Sequence, residues 1–151
     1  DLVRSRGLGD VYKRQIMSDS KAKQLGLTPL ARVVATAATG LSPEIMGLGP
    51  IEAIRKVLRI SGMSLSDIDL VEINEAFAVQ VLGSANELGI DHDKLNVSGG
   101  AIALGHPFGM TGARITTTLL NNLQTRDKTF GIESMCVGGG QGMAMVLERL
   151  S

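Results

Sequence analysis

The chain has 151 residues, which fits one domain and suffices to bury a core, and 44% of them are hydrophobic. Its 15 basic and 15 acidic residues cancel, so charge gives no sign of a nucleic-acid or membrane-surface partner. No apolar run approaches the roughly 18 residues of a membrane span, and the single cysteine excludes an internal disulfide and fits a reducing compartment.

Residues 1–15, which read DLVRSRGLGDVYKRQ, differ from the rest of the chain. They carry four of the basic residues and the only tyrosine, Tyr12, without a sustained apolar period. The segment resembles a non-native leader derived from a sequencing adaptor, and a basic tail is the alternative. We therefore expect the folded domain to span residues 16–151.

The first half of this domain shows regular start and stop signals. Ser18–Leu25 opens with Ser and Asp and stops at Gly26, which predicts a short exposed helix. The small and β-branched residues of Ala31–Ala38 predict a buried strand, and Gly40–Pro50 is typical of a loop. Apolar residues then recur at helical spacing over Ile51–Ile60.

The second half continues the alternation of strands and helices. Leu70–Ile73 predicts a strand, Glu75–Leu88 a helix, and Leu95–Ser98 a brief strand. The predicted helix buries one face made of Phe77, Val81, Ala85 and Leu88.

A further helix follows His106, and two last strands are predicted at Thr129–Cys136 and Met143–Leu150, joined by the glycine turn 138–140. The order βαβαβαββ predicts an α/β fold with a mixed, mainly parallel sheet flanked by helices and closed by an antiparallel edge.

Three polar or reactive residues fall on predicted loops or strand ends, where α/β proteins place their working groups: Asn74, His106 and Cys136. Taken alone, Asn74 is a good helix N-cap, and its functional interpretation is an amide that orients a water or a substrate oxygen. Cys136 alone is most simply a small buried hydrophobe. The glycines after it, however, expose N–H groups that can stabilise a thiolate or an oxyanion.

His106 precedes Pro107 at the start of a predicted helix. The positive end of the helix dipole disfavours the imidazolium, so the sequence predicts a neutral ring that serves as a general base. A histidine that is hydrogen-bonded in a turn is the alternative. One cysteine and two distant histidines do not complete a zinc site, and the GHPFG run lacks the lysine of a phosphate loop.

Together these motifs resemble a family. NEAF at 74–77, GHP at 105–107 and CVG at 136–138, with MGLGP at 46–50, are similar to the C-terminal half of thiolases, the acyl-CoA C-acyltransferases. The resemblance covers residues 16–151 and implies the fold of that half, with its first strand truncated to Ile16 and Met17.

The resemblance implies a ping-pong reaction in which a 3-ketoacyl-CoA and CoA give acetyl-CoA and a shortened acyl-CoA, or the reverse Claisen condensation. His106 matches the base that activates the nucleophilic cysteine, and Asn74 the residue that holds a water in the first oxyanion hole. Cys136 matches the acid/base cysteine, and the N–H of Gly138 contributes to the second oxyanion hole. The pantetheine or acyl pocket would be lined by Phe77, Ala76 and Met46, although Phe77 and Met46 are also ordinary packing residues.

The family's nucleophilic cysteine belongs to its N-terminal half, and this chain has only one cysteine. We therefore expect a fragment that has no turnover by itself. A ketoacyl synthase of the same superfamily is disfavoured by CVG, and a non-catalytic, CoA-binding thiolase-like subunit is disfavoured by the presence of Asn74, His106 and Cys136 together.

The resemblance further implies acyl-CoA and CoA as ligands, with CoA a substrate and no cofactor or metal. Family members are usually dimers or tetramers, so we expect a homo-oligomer when the missing N-terminal half is present. The expected compartment is the cytoplasm, with neither nucleic acid nor membrane as a partner. The HPFGMTGAR segment at 106–114 resembles that of degradative thiolases that accept longer or bulkier acyl groups, which implies a place in fatty acid metabolism and lipid degradation.

Overall fold

The computed structural model describes residues 15–150, so the predicted leader lies outside the described residues except for Gln15. Four strands form one sheet in the order β1-β4-β3-β2: β1 (Ala31–Gly40), β2 (Leu70–Ile73), β3 (Phe130–Val137) and β4 (Gln141–Arg149). Five α-helices accompany them in this part of the chain: α1 (Asp19–Gln24), α2 (Gly49–Ser61), α3 (Ala78–Leu88), α4 (Ala101–Leu104) and α5 (Thr111–Thr125). None of these helices is long and apolar enough to cross a membrane.

The sheet is mixed and flanked by helices, as predicted, but it is not mainly parallel. Among the strands of residues 15–150, only β2 and β3 pair in parallel, whereas β4 pairs antiparallel with both β3 and β1. The prediction was wrong because the β3–β4 hairpin lies between β1 and β2, so that the successive strands β1 and β2 are not neighbours.

The predicted strand at Leu95–Ser98 is reduced to isolated bridges, Val71 to Leu95 and Val97 to Gly99. Asn96 has a φ of 46°, a conformation that no strand continues through. Its side-chain amide takes over the pairing: Oδ1 accepts from Ile73 N at 2.8 Å and Nδ2 donates to Ile73 O at 2.9 Å.

One side of the sheet packs against α2 and α3 and is aliphatic. Ala53, Ile54 and Val57 of α2 are fully buried there, together with Val81 and Ala85 of α3. They contact alternate residues of the strands, among them Ile73, Ile132 and Val146. The other side packs against α5 through Leu119 and Leu123, which contact Leu70 and Leu147.

Helix boundaries follow the caps. Ser18 caps α1 by accepting a hydrogen bond from Lys21 N at 3.2 Å, as its sequence predicted. The helix predicted from Glu75 begins only at Ala78, so Phe77 lies outside it and is 69% exposed rather than part of its buried face. The predicted loop 40–50 contains a 3₁₀ helix at Pro43–Leu48, and α4 is an element that the sequence did not predict.

Candidate active site

The parallel strands β2 and β3 bring Asn74 and Cys136 to the same edge of the sheet. Ile73 is in register with Ser134, and Asn74 N donates to Ser134 O at 2.9 Å. Asn74 directly follows β2 and is fully buried, whereas Cys136 is the next-to-last residue of β3. The interpretation of Asn74 as a helix N-cap is wrong, because α3 begins four residues later and has Phe77 at its N-cap.

His106 lies against Asn74, although 32 residues separate them. Asn74 Nδ2 is 3.4 Å from His106 Nε2, and His106 Nδ1 is 2.6 Å from Thr111 Oγ1. The Phe108 ring, which is exposed, meets the half-buried imidazole edge to face at 5.0 Å. The structure therefore joins two of the three residues that the sequence singled out.

The predicted helix start at Pro107 is wrong. Pro107 O accepts from Met110 N at 2.8 Å in a turn, and the helix α5 begins only at Thr111, the residue that the His106 ring contacts. The ring is held by the side chains of Asn74 and Thr111, so it lies beside the first residue of α5 although Pro107 is not part of that helix.

The Cys136 side chain lies on the face of the sheet opposite to that of Asn74. Ile132 belongs to the aliphatic core, and strand alternation places Cys136 on that side, while Asn74 faces α5. Within residues 15–150 no hydrogen bond joins the thiol to Asn74 or His106. The side chain is 9% exposed, and burial raises the pKa of the thiol, which favours its protonated form.

The remaining predicted residues are all more exposed than Asn74. Gly138 has a φ of 57° and opens the exposed turn between β3 and β4. Ala76 is half-buried and Phe77 is exposed just before α3, and Met46 is half-buried on the 3₁₀ helix that packs against α3. Their roles in binding and catalysis stay predictions from the resemblance.

Sequence reasoning missed a cluster of buried charges beneath Asn74, made of Glu72, Arg114 and Glu133, which we call the buried charge cluster. Arg114 Nη2 donates to Asn74 Oδ1 at 3.5 Å, and Arg114 Nη1 is 4.0 Å from Glu72 Oε2. Burial raises the pKa of Glu72 to about 7 and that of Glu133 to about 7, against the opposing effect of the Arg114 charge. Glu72 lies in the predicted strand LVEI and Glu133 in GIESMC, each between apolar or small residues. The sequence does not show that α5 packs over both side chains and brings Arg114 to them.

The Glu75 carboxylate makes hydrogen bonds that its position after Asn74 did not predict. Its Oε2 accepts from Ile102 N at 2.9 Å, in the first turn of α4, and its Oε1 accepts from Asn96 Nδ2 at 3.2 Å. Gly100 lets the carboxylate approach, since a Cβ there would lie 2.6 Å from Glu75 Cδ. Glu75 thus fixes the short helix that delivers His106.

No group of three or more His, Cys, Asp or Glu between residues 15 and 150 is placed to hold a metal ion. The residues with acid, base or hydrogen-bonding groups that the sequence singled out at this edge are Asn74, His106 and Cys136, and the backbone N–H groups of the 138–140 turn follow Cys136 along the chain. Such a set can move protons at a carbonyl and donate hydrogen bonds to its oxygen.

Comparison with known proteins identifies the family of the chain. Residues 27–149 match the family model described as thiolase, C-terminal domain. An acetyl-CoA acetyltransferase of Escherichia coli (strain K12) is 56% identical over 136 residues, which is 90% of this chain and 34% of that protein. A 3-ketoacyl-CoA thiolase of Yersinia pestis (strain Pestoides F) is 54% identical over 138 residues, 89% of this chain and 36% of that protein.

Solved structures give the same result. The crystal structure of the Bacillus anthracis acetyl-CoA acetyltransferase superposes with a TM-score of 0.87 at 53% identity over 89% of this chain and 34% of that chain. The human mitochondrial 3-ketoacyl-CoA thiolase in complex with CoA gives 0.87 at 47% identity, over 89% of this chain and 34% of that chain. The chain thus spans about a third of the length of these relatives. It belongs to the thiolase family and corresponds to the C-terminal domain of its members.

Proposed function

We propose that this chain supplies the base, the water-holding amide and the acid/base thiol of an acyl-CoA C-acyltransferase that cleaves a 3-ketoacyl-CoA with CoA, or runs the reverse condensation. In the cleavage, a cysteine outside this chain attacks the 3-keto carbonyl and the bond between C2 and C3 breaks. The acetyl-CoA carbanion takes a proton, and CoA then removes the acyl group from the cysteine as a thioester. Claisen chemistry of this kind needs a nucleophile, a proton shuttle and two oxyanion sites.

The observation that carries the proposal is the contact of Asn74 with His106, at 3.4 Å, on the sheet edge where β3 brings Cys136. His106 would take the proton of the nucleophile and Asn74 would hold the water of the first oxyanion hole. The raised pKa of the Cys136 thiol keeps it protonated, as a donor to the carbanion requires. Gly138 N–H would serve the second oxyanion hole, and Phe77, Ala76 and Met46 the pantetheine or acyl pocket.

The ligands and setting of the complete enzyme are part of the proposal. Acyl-CoA and CoA are substrates, with no further cofactor, and a domain bearing the nucleophile completes the site. We also propose a homo-oligomer in a cytoplasmic compartment, acting in fatty acid metabolism, including lipid degradation, because 3-ketoacyl-CoA thiolases are among the relatives.

A chimera tests the function directly. Residues 16–151 replace the matching third of the Escherichia coli acetyl-CoA acetyltransferase, to which this chain is 56% identical, and CoA-dependent cleavage of acetoacetyl-CoA is followed by the loss of its absorbance. We expect turnover from the chimera and none from the isolated chain, which has one cysteine.

Two variants of the chimera separate the roles. Cys136→Ala should lower turnover by orders of magnitude while acylation of the enzyme by acetyl-CoA remains measurable by mass spectrometry, because that transfer forms no carbanion for this thiol to protonate. His106→Ala should slow acylation itself. Normal turnover of Cys136→Ala, or a folded chimera without turnover, would contradict the proposal.

A further inference from the structure

A line of four hydrogen bonds runs from Arg114 through the site to a backbone carbonyl. Arg114 Nη2 is 3.5 Å from Asn74 Oδ1, and Asn74 Nδ2 is 3.4 Å from His106 Nε2. His106 Nδ1 is 2.6 Å from Thr111 Oγ1, which in turn is 3.3 Å from Pro107 O. The two ends are chemically fixed, because a guanidinium only donates hydrogen bonds and a carbonyl oxygen only accepts them.

The fixed ends determine the direction of every bond between them. Because the guanidinium must donate, the Asn74 amide turns its oxygen toward Arg114 and its NH₂ toward His106. Nε2 of His106 then accepts, so the ring proton of the neutral imidazole is on Nδ1. Nδ1–H donates to Thr111 Oγ1, and the threonine hydroxyl has its own proton left for Pro107 O.

We propose that Arg114 is a positioning residue that holds the Asn74 amide in one orientation and thereby keeps His106 as the Nδ1–H tautomer, in which the lone pair of Nε2 accepts from Asn74 Nδ2. Its value for catalysis rests on the proposed function, since a general base must present a lone pair to the proton that it removes. The tautomer itself is independent of that function.

The surroundings of Arg114 explain why it can do this. Its side chain is only 10% exposed, and within residues 15–150 its Nε and Nη1 have no hydrogen-bond partner. Glu72 and Glu133 supply the neighbouring charges that keep a guanidinium acceptable at this depth. The hydrogen bond to Asn74 is therefore the directional contact of a group that is otherwise held by charge.

Nitrogen-15 NMR of the chain labelled at histidine tests the proposal. Long-range proton–nitrogen correlations distinguish Nδ1–H from Nε2–H in a neutral ring, and the chain has only two histidines, so His92→Gln assigns the signals. In the wild-type chain above the titration of the ring, we expect the His106 pattern with the proton on Nδ1. A pattern with the proton on Nε2 would overturn the proposal before any variant is made.

Three variants at two positions then test what sets the direction of these hydrogen bonds. Arg114→Met removes the donor and should convert the single pattern into a mixture with Nε2–H, whereas Arg114→Lys, which keeps a donor, should restore a majority of Nδ1–H. Asn74→Asp has no donor for Nε2 and should place a proton there. Arg55→Met is the matched control, because Arg55 pairs with Glu52 and Glu87 on the surface, and it should leave the pattern unchanged.

Circular dichroism accompanies each sample to show that it is folded. A folded Arg114→Met with the wild-type pattern would show that Arg114 does not set the tautomer. If that variant does not fold, Asn74→Asp decides, since a retained Nδ1–H pattern there contradicts the same inference. A normal tautomer result beside an inactive chimera would refute the proposed function alone.

Discussion

The two faces of the sheet differ in chemistry although the same strands supply both. On the side of α2 and α3, which we call the aliphatic face, the buried side chains include Ile54, Val57 and Ile132. On the side of α5, which we call the polar face, β2 and β3 bury Glu72 and Glu133. Alternation along a strand sends successive residues to opposite faces, so a four-residue strand such as LVEI serves both.

The difference shows that the two faces have different roles: the aliphatic face stabilises the fold, and the polar face positions the residues of the site. Burial of apolar area on the aliphatic face stabilises the fold without directional demands. Burial of charge on the polar face costs free energy, and the raised pKa values of Glu72 and Glu133 are the measure of that cost. In return, the polar face provides the guanidinium that contacts Asn74 at the edge.

The largest expected effect is a dependence of stability on pH. The pKa of Glu72 is about 7 and that of Glu133 is about 7 in the folded chain, against an ordinary 4.5, because burial disfavours the carboxylates. The folded state therefore binds more protons between these values, and its stability is full below about pH 4.5 and falls as the pH rises through 7. At about 1.4 kcal/mol per pH unit, the loss approaches roughly 3 kcal/mol for each carboxyl.

Urea unfolding between pH 5 and pH 8 measures this loss. The double variant Glu72→Gln with Glu133→Gln should flatten the curve, since neither amide titrates. An equally steep decline in the double variant would show that the polar face is not its source.

A core truncation on the aliphatic face should cost somewhat less and should not depend on pH. Ile54 is fully buried in α2, and Ile54→Ala is expected to lower the free energy of unfolding by about 2–5 kcal/mol through lost burial and a residual cavity. Ile60→Ala on the same helix is the control, because Ile60 is 57% exposed and should change stability by no more than about 0.5 kcal/mol. Similar losses from both, in urea unfolding at one pH, would contradict this account of the face.

Much of the aliphatic face could be predicted from the sequence, and little of the polar face. Apolar spacing located α2, and the β-branched runs located β2 and β3 within a residue. The same strands placed Asn74 and Cys136 at one edge, because parallel strands end together. Hydrophobic periodicity does not predict which distant helix packs against a strand. The contact of Arg114 with Asn74, 40 residues apart, was therefore missed.

Local signals also misled where a tertiary contact was stronger. Pro107 is a good first helical residue, yet its carbonyl closes a turn with Met110 and accepts from Thr111, which delays α5. Strand order βαβ favoured a parallel neighbour for β1, but β1 pairs with β4 at the far edge. In both cases the deciding partner is set by the assembled sheet and helix layer.

The smallest expected effect is a difference in stability between substitutions of two threonines on α5, Thr116 and Thr117. Thr116 Oγ1 lies 2.7 Å from Gly112 O and 2.6 Å from Glu133 Oε2, and Thr117 Oγ1 lies 2.8 Å from Ala113 O. Glu133 Oε2 accepts from the Thr116 hydroxyl, and this bond partly offsets the rise that burial causes in the pKa of Glu133. Thr116→Val should therefore cost about 1–3 kcal/mol by leaving a buried carboxyl without its partner. Thr117→Val removes the same bond to a carbonyl four residues earlier from an exposed position and should cost no more than about 0.5 kcal/mol. Equal costs in urea unfolding at pH 6 would mean that the bond to Glu133 contributes nothing to the polar face.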